Sequence, residues 1–432
     1  MVYFLSQIFL GFRRSPVFCV LIVIIISMGI AASTSMLVVL RTLHANPLPG
    51  ISDRLFHLQI EPSVVGRPST RGKLPDSLTW DDAAALLRAT PGKRKASILG
   101  AQLTFVPTEG VGHARWVKST LTQSAFFPMF RAQFADGGAW TAVDDDQASR
   151  VVVISDVLSR SLFGSTKTTG RIIRFGDFDF RVVGVLKHWA PKPRFYALSE
   201  GAFAPPEDVF MPLSTARDIR AALSVSPDCW GSGFPDLERP AKAPCSWVPF
   251  WVELDVAGDA PGYLRFLSGY VKEQQALGRF QRESVVQLHN VMEWIEEKNV
   301  VPSAARLQAF IAYGFLFICI GNASGLLFIM FLGRRRELGL RRALGATQRQ
   351  IFRHLVAETA GIGLMSCAGG IALTIAAMAL LRQRPEAHYA AIEFDPAVVC
   401  IGVALTLVAT AVATCVPAWH VARSHPYRML NS

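Results

Sequence analysis

The stretch L-Q-A-F-I-A-Y-G-F-L-F-I-C-I-G-N-A-S-G-L-L-F-I-M-F-L, Leu307 to Leu332, runs directly into G-R-R-R-E-L-G-L-R-R-A-L-G-A-T, Gly333 to Thr347. The first part holds 26 residues and no charge. A bilayer core about 30 Å thick needs roughly 20 apolar helical residues. Inside it, only a helix satisfies every backbone N–H and C=O within one segment. The second part is dense in arginine from its first turn. Together they predict a membrane helix that emerges into a basic loop.

Three more apolar stretches follow the same rule: Val17 to Leu40, Leu355 to Leu381 and Ala397 to Ala418, of 24, 27 and 22 residues. Glu358 is the only charged side chain in the four. The first run is longer than the roughly 7–15-residue core of a cleaved signal peptide, so a retained span is expected despite the small residues Ala31, Ala32 and Ser33. The expected fold is an α-helical membrane protein with four transmembrane helices. A large mixed α/β extracytoplasmic domain is inserted between helices 1 and 2.

Composition agrees. The chain has 432 residues, 51% hydrophobic and only 18% charged, with a formal net charge of +11. Soluble domains carry about 25% charged residues. Arg41 to Ala305 has 30 Lys+Arg against 28 Asp+Glu, a net of +2. Arg13 to Arg14, Arg334 to Arg353 and His420 to Ser432 together carry 11 Arg and one acid, Glu337, a net of +10. Short basic loops stay in the cytoplasm, whereas long loops translocate regardless of charge. The charge is thus a mark of topology, which argues against a nucleic-acid partner.

These rules divide the chain as follows. Residues 1–16 form a cytoplasmic amphipathic N-terminus, with Tyr3, Phe4, Ile8 and Phe9 ahead of the arginines. Residues 17–40 are helix 1, 41–305 the periplasmic domain with a stalk, and 306–332 helix 2. Residues 333–354 form a cytoplasmic coupling loop or helix, 355–381 helix 3, 382–396 a short outer turn, 397–418 helix 4 and 419–432 a cytoplasmic tail.

Inside the large domain, Thr79 and Trp80 with Asp81 and Asp82 read as a capped helix start. Val151 to Ile154 is a buried-strand run. Arg171 to Phe175 and Phe178 to Leu186 flank Gly176-Asp177, a pair suited to a two-residue hairpin loop. Ser284 to Leu288 is a further strand candidate. From Asn290 onward Val291, Trp294 and Ile295 suit a helical stalk, which Asn299 to Pro302 kinks or breaks. Five cysteines lie in apolar spans, where a thiol acts as a small hydrophobe. Cys229 and Cys245 instead share one Pro-rich external insertion, and outside the cytoplasm such a pair can stay oxidised. A Cys229–Cys245 disulfide is expected, worth about 3 kcal/mol in the chain-entropy model.

Catalytic motifs are absent from the 432 residues. There is no G-x-x-x-x-G-K-[ST] loop, and Gly164, Ser165, Thr166 and Lys167 have the wrong spacing for one. No G-x-S-x-G elbow occurs. The nine His lack ligand spacing, so no metal is expected. Asp144, Asp145 and Asp146 lack the alternate oxygens and Gly of a calcium loop and read as a solvated turn.

Gly321, Asn322 and Gly325 form a small-x-x-x-small patch that permits close helix approach in lipid, with an amide that needs a partner there. This patch, the run Arg334-Arg335-Arg336-Glu337-Leu338-Gly339-Leu340-Arg341-Arg342-Ala343-Leu344-Gly345-Ala346 and Glu358 closely resemble the transmembrane signature of the MacB/FtsX-like ABC transporter permeases. Pro417-Ala418-Trp419, Ala422 and Pro426 resemble the close of that signature. More loosely, Val151 to Ser155, Leu162 to Gly164, Val182 to Val185 and Asp208 to Leu213 are similar to the MacB-type periplasmic core domain. The two-Cys insertion has no counterpart in the resemblance.

The resemblance implies a permease without a fused ATPase and without an enzyme site of its own. ATP and Mg would be bound by a separate ABC ATPase subunit, in two copies. That subunit would meet the loop at Arg335, Arg336, Glu337, Leu338, Gly339, Arg341, Arg342, Ala343, Gly345 and Ala346. Lipid headgroups would touch the same arginines. Gly321, Asn322, Gly325 and Glu358 would pack within the membrane. A second permease chain, most simply an identical one, would complete the unit in the bacterial inner membrane, with both termini cytoplasmic. Periplasmic adaptor and outer-membrane channel are further expected partners. The implied action is mechanotransmission for export or extraction of a periplasmic substrate; the alternative is a regulatory permease that activates a cell-wall hydrolase or relays a signal.

Overall fold

The computed structural model describes residues 15–62, 74–107, 113–281, 284–301, 303–383 and 396–423. The amphipathic N-terminal patch, most of the outer turn 382–396 and Pro426 lie outside them. The chain forms two units, one from its two ends and one from Ala45–Val300.

Helix α1, Pro16–Leu43, belongs to the first unit. Strand β1, Leu55–Ile60, then opens the second. In it, α2 (Trp80–Arg88) starts where Thr79 Oγ1 accepts the Asp82 N–H, and the first-turn acids oppose the helix dipole. There follow β2 (Arg94–Ser97), β3 (Leu99–Val106), β4 (Arg115–Thr122), β5 (Phe134–Gly137), α3 (Ala142–Asp146), β6 (Val151–Ile154) and α4 (Asp156–Phe163). Next come β7 (Ile172–Phe175), β8 (Phe178–Leu186), β9 (Val209–Pro212), α5 (Leu213–Asp218), β10 (Asp228–Cys229), β11 (Cys245–Ser246), β12 (Phe250–Glu253), α6 (Ala260–Ala276), β13 (Val286–Asn290) and α7 (Val291–Glu297).

Three sheets result. One is antiparallel, in the order β13-β1-β12-β2; the small β10-β11 ladder is a second. The third runs β5-β8-β6-β9-β4-β3-β7, and β7 pairs with β8 as well, closing six of its strands into a ring. Phe175 faces Phe178 across the two-residue turn, and Gly176 there has φ +57°, a conformation that costs a Cβ-bearing residue more.

Strand periodicity decides which side chains meet. Phe56, Leu58 and Ile60 enter one core, while Leu55 enters a second. Val152 and Ile154 likewise part from Val151 and Val153. Successive side chains on a strand point to opposite faces, so the unbroken apolar run of β6 reflects burial on both faces. The second core is aromatic: Phe126, Phe127, Phe130, Phe195, Tyr196 and Trp251 pack with ring centroids of 4.8 to 6.1 Å for their mutual contacts. Beside it the buried Arg194 pairs with Glu207, which also accepts the Tyr196 hydroxyl at 2.8 Å. Burial pushes the nearby Glu200 carboxyl up, against the attraction of Arg194.

Asp144 closes a capping box with Thr141, and the Asp145 carboxylate accepts from Ser124 N and Trp140 Nε1 at 2.7 and 2.8 Å. The Asp cluster thus organises a helix start. Cys229 and Cys245 face each other across β10-β11 and are joined by a disulfide. Among the described residues no group of three or more His, Cys, Asp or Glu could hold a metal ion.

The first unit adds α8 (Ser303–Leu332), α9 (Arg335–Ala343), α10 (Gln348–Leu381) and α11 (Pro396–Arg423). With α1, three of these are long and apolar enough to cross a membrane. The helical stalk expected from Asn290 stops at Glu297, and Asn299, at φ +49°, breaks it. Helix α10 begins seven residues ahead of its apolar run, because Thr347 and Gln350 cap it reciprocally. The helices approach through small residues and hydroxyls, as expected where lipid offers no hydrophobic drive between them. A Cβ placed on Gly29 would lie 2.9 Å from Cys319 Cβ. Ser27 Oγ donates to Ser366 O at 3.1 Å, Ser33 Oγ to Ala312 O at 3.1 Å and Ser324 Oγ to Ala413 O at 3.1 Å.

Candidate coupling site

The basic loop folds as a short helix set against the start of a long one. Arginine, leucine and glutamate are good helix formers, so R-R-E-L-G-L-R-R-A favours α9 locally. Gly345, at φ +100°, ends it. Gly345 N donates to Arg342 O and Ala346 N to Arg341 O, both at 3.0 Å, which is the Schellman pattern. Thr347 then caps α10, so only four residues separate the two helices. The loop is a short helical hairpin.

One face of α9 holds it down. Leu338 is 3% exposed and packs with Ile351 and Leu355 of α10. Gly339 is buried beside it. Before the helix, Arg334 Nη1 donates to both Glu358 oxygens at 2.5 and 2.7 Å. The two side chains are 15% and 7% exposed. A carboxylate in an apolar span is costly unless paired, and this charge-assisted contact from one guanidinium nitrogen supplies the pair.

The opposite face is open. Leu340 is 58% and Leu344 80% exposed, one turn apart. Arg336, Arg341, Ala343 and Gly345 are exposed with them, while Arg335, Glu337, Arg342 and Ala346 are half-buried. Glu337 accepts from Arg341 at 2.8 Å, an i,i+4 pair worth a few tenths of a kcal/mol (~0.3–0.5). Arg341 Nη1 also lies 3.1 Å from His354 Nε2. A groove of about 670 Å³ runs beside it, lined by Leu338, Arg341, Ala346, Gln350, Phe352 and Ala357 among others.

Of the residues expected at the loop, Leu338 and Gly339 face inward and serve the hairpin; the exposed arginines face out. Three residues escaped the sequence reading. Arg334 was legible from the rule that an intramembrane acid needs a cation. Leu340 and Leu344 were legible from a helical wheel, on which they lie opposite Leu338. Gly321 and Gly325 meet no neighbour: a Cβ on either finds nothing within 4 Å, and Asn322 beside them is exposed.

Comparison with known proteins gives the following. Residues 19–228 match the MacB-like periplasmic core domain, and residues 309–426 match the FtsX-like permease C-terminal region. Over 295 residues the chain is 25% identical to the pyoverdine export ATP-binding/permease protein PvdT of Pseudomonas aeruginosa, covering 68% of this chain and 39% of that protein. To PvdT of Pseudomonas putida it is 24% identical over 321 residues, covering 72% and 42%. The chain thus spans about two fifths of the length of these relatives. The periplasmic region of MacB from Actinobacillus actinomycetemcomitans is similar at 15% identity, 57% and 94% coverage and a TM-score of 0.36. The extracellular domain of the ABC-type transporter YknZ from Gram-positive bacteria gives 16%, 55%, 100% and 0.36.

Proposed function

We propose a function for this chain from the premise that it belongs to the MacB/FtsX-like ABC transporter permeases. It couples ATP hydrolysis by an ATPase lying outside these 432 residues to movements of its α/β unit, for export or extraction of a periplasmic substrate. Four helices cross the bacterial inner membrane, both termini and α9 face the cytoplasm, and the α/β unit faces the periplasm. The orientation is supported by the arginine-rich short loops.

The observation that carries this reading is the two-faced α9. Its inner face is fixed by Leu338 and by the Arg334–Glu358 pair, and its outer face offers two exposed leucines among arginines. Apolar anchors in a cationic rim suit a groove on a folded partner, where a few buried side chains supply most of the affinity. Anionic lipid alone would select charge and would not need the leucines. Two ATPases would close on ATP and push the α9 hairpins of two permease chains. The Arg334–Glu358 pair would pass that displacement to α10 at the junction with α8, the helix that follows the α/β unit in the chain. The spans contain one acid in 99 residues, a poor lining for a polar pore, so movement rather than a tunnel does the work.

The second permease chain would dock on α8 at Gly314, Gly321, Asn322 and Gly325. None of these glycines meets a neighbour, whereas Gly29, Gly363, Gly369 and Gly370 are already in close contact. ATP and Mg belong to the ATPase. The PvdT relatives are named for pyoverdine export, which favours the transport reading over the regulatory one. Affinity capture of the intact chain tests it. The expected catch is an ABC ATPase together with a periplasmic adaptor; recovery of a cell-wall hydrolase in place of the adaptor would favour regulation, and ATP hydrolysis by the purified chain alone would overturn the reading.

A further inference from the structure

A cleft of about 760 Å³ opens on the α/β unit, lined by α2, β2, α3 and α5. Its size lies within the roughly 300–1,000 Å³ of small-molecule sites. Part of its wall is apolar. Val248, Ala83 and Leu213 are buried, and Trp80 is held by stacking on the buried Trp247, with ring centroids 5.6 Å apart and planes at 14°.

The polar part of the lining is unbalanced. Five cations line the cleft, Arg88, Lys93, Arg94, Lys95 and Arg217, against two acids, Asp145 and Asp146. Lys93 is neutralised by Asp255 at 2.9 Å and Arg94 by Glu253 at 2.7 Å. Asp145 is committed to Ser124 and Trp140. The Lys95 ammonium donates to the Ala89 carbonyl and meets no carboxylate among the described residues. Arg88 and Arg217 are exposed and make no ion pair among the described residues. Ser214, also on the lining, has a buried Oγ without a hydrogen-bond partner among them. Two uncommitted cations, Arg88 and Arg217, therefore stand against one exposed acid, Asp146, beside an apolar wall.

We infer that this cleft binds a small amphipathic anion, its apolar body against Trp80 and its carboxylate or phosphate held by Arg88 and Arg217. A purely polar anion would leave the apolar wall wet. An uncharged apolar molecule would leave the arginines unused. The site is independent of ATPase docking.

The test uses the full chain in nanodiscs of neutral phosphatidylcholine and the fluorescent probe dansyl-undecanoic acid, with empty discs subtracted. Saturable binding with energy transfer from tryptophan is expected, and undecanoate displaces the probe. The methyl ester of the probe, which lacks the charge, binds the wild-type chain at least about tenfold more weakly, a measurement that needs no variant. The double variant Arg88→Gln/Arg217→Gln loses a similar factor for the acid and none for the ester. Arg265→Gln, an exposed change on α6, alters nothing. The inference fails if binding does not exceed that of empty discs, if ester and acid bind alike, or if an acidic peptide displaces the probe and undecanoate does not.

Discussion

Arg334 and Glu358 lie 24 positions apart in sequence, and one guanidinium nitrogen of the first donates to both oxygens of the second. The pair ties the entry of α9 to the first third of α10, at the level where the apolar span begins. Removing one partner of such a pair leaves a buried charge, at a cost of about 3–5 kcal/mol, whereas replacing both by apolar groups is close to neutral. Glu358→Ala should therefore lower the unfolding midpoint of the purified chain markedly, and Arg334→Met/Glu358→Leu should restore it. If the pair also transmits motion, the restored double variant remains unable to stimulate ATP turnover in the reconstituted complex. Full stimulation would reduce the pair to a structural role.

Leu340 and Leu344 should behave as anchors. Each replaced by Asp leaves the hairpin folded, because neither side chain packs inward, yet co-purification of the ATPase should fall by more than about tenfold. Leu338→Asp should instead disrupt the hairpin itself, since it is buried against α10. Pull-down paired with circular dichroism separates the two effects. Unchanged capture by the Leu340→Asp and Leu344→Asp variants would remove the apolar part of the proposed contact.

The glycines of α8 make a contrast within one helix bundle. Gly321→Leu and Gly325→Leu should leave the monomer intact while lowering the dimer fraction in detergent, because there is room for a side chain within the chain itself. Gly29→Leu should destabilise the monomer, because its Cβ would press on Cys319 and Leu316 at 2.9 to 3.1 Å. Disulfide trapping through Gly325→Cys reports the dimer directly. Dimers undiminished in both leucine variants would move the interface elsewhere.

Acid should weaken the α/β unit through His57. Its ring is 2% exposed and lies 3.8 Å from the Trp294 ring; Nε2–H donates to Asp76 O at 2.8 Å, while Nδ1 has no partner among the described residues. Burial pushes its pKa from the ordinary 6.5 down to about 3. Between these values the unfolded chain binds a proton that the folded chain refuses, so stability falls as pH drops through 6.5 and goes on falling towards pH 3. At pH 5 the loss from this group is about 2 kcal/mol relative to neutral pH. Tryptophan-monitored denaturation of wild type and His57→Phe at both pH values checks it. Equal losses in the two proteins would assign the acid sensitivity elsewhere.

Much of this was readable before any coordinates. Helix-length apolar runs are long, uninterrupted signals, and strands such as Val151–Ile154 stand out because both their faces are buried. The turn at Gly176 and the cap at Thr79 carry local chemistry that needs no partner. What stayed hidden depends on residues far apart. The aromatic core joins Phe126, Tyr196, Phe210 and Trp251 from distant elements, and no spacing rule links them. The cleft of Arg88 and Arg217 arises where α2 and α5 meet one lining across more than a hundred residues of chain. The loop motif pointed to the site, and a helical wheel sets Leu338 opposite Leu340 and Leu344, but which of the two faces packs inward required the hairpin geometry.

The closed ring of six strands has a consequence for the company the α/β unit can keep. A ring offers no free edge for an incoming strand, and β5, the single strand appended to it, is four residues long, carries Asp136 and joins β8 through an irregular register. Short, charged and irregular edges resist strand addition. Neither a partner nor a neighbouring copy in a crowded membrane can zip onto this sheet through its backbone. Recognition at the ring must be read from side chains and loops, which are free to diverge, while the closed ladder guards this one sheet against edge-to-edge aggregation.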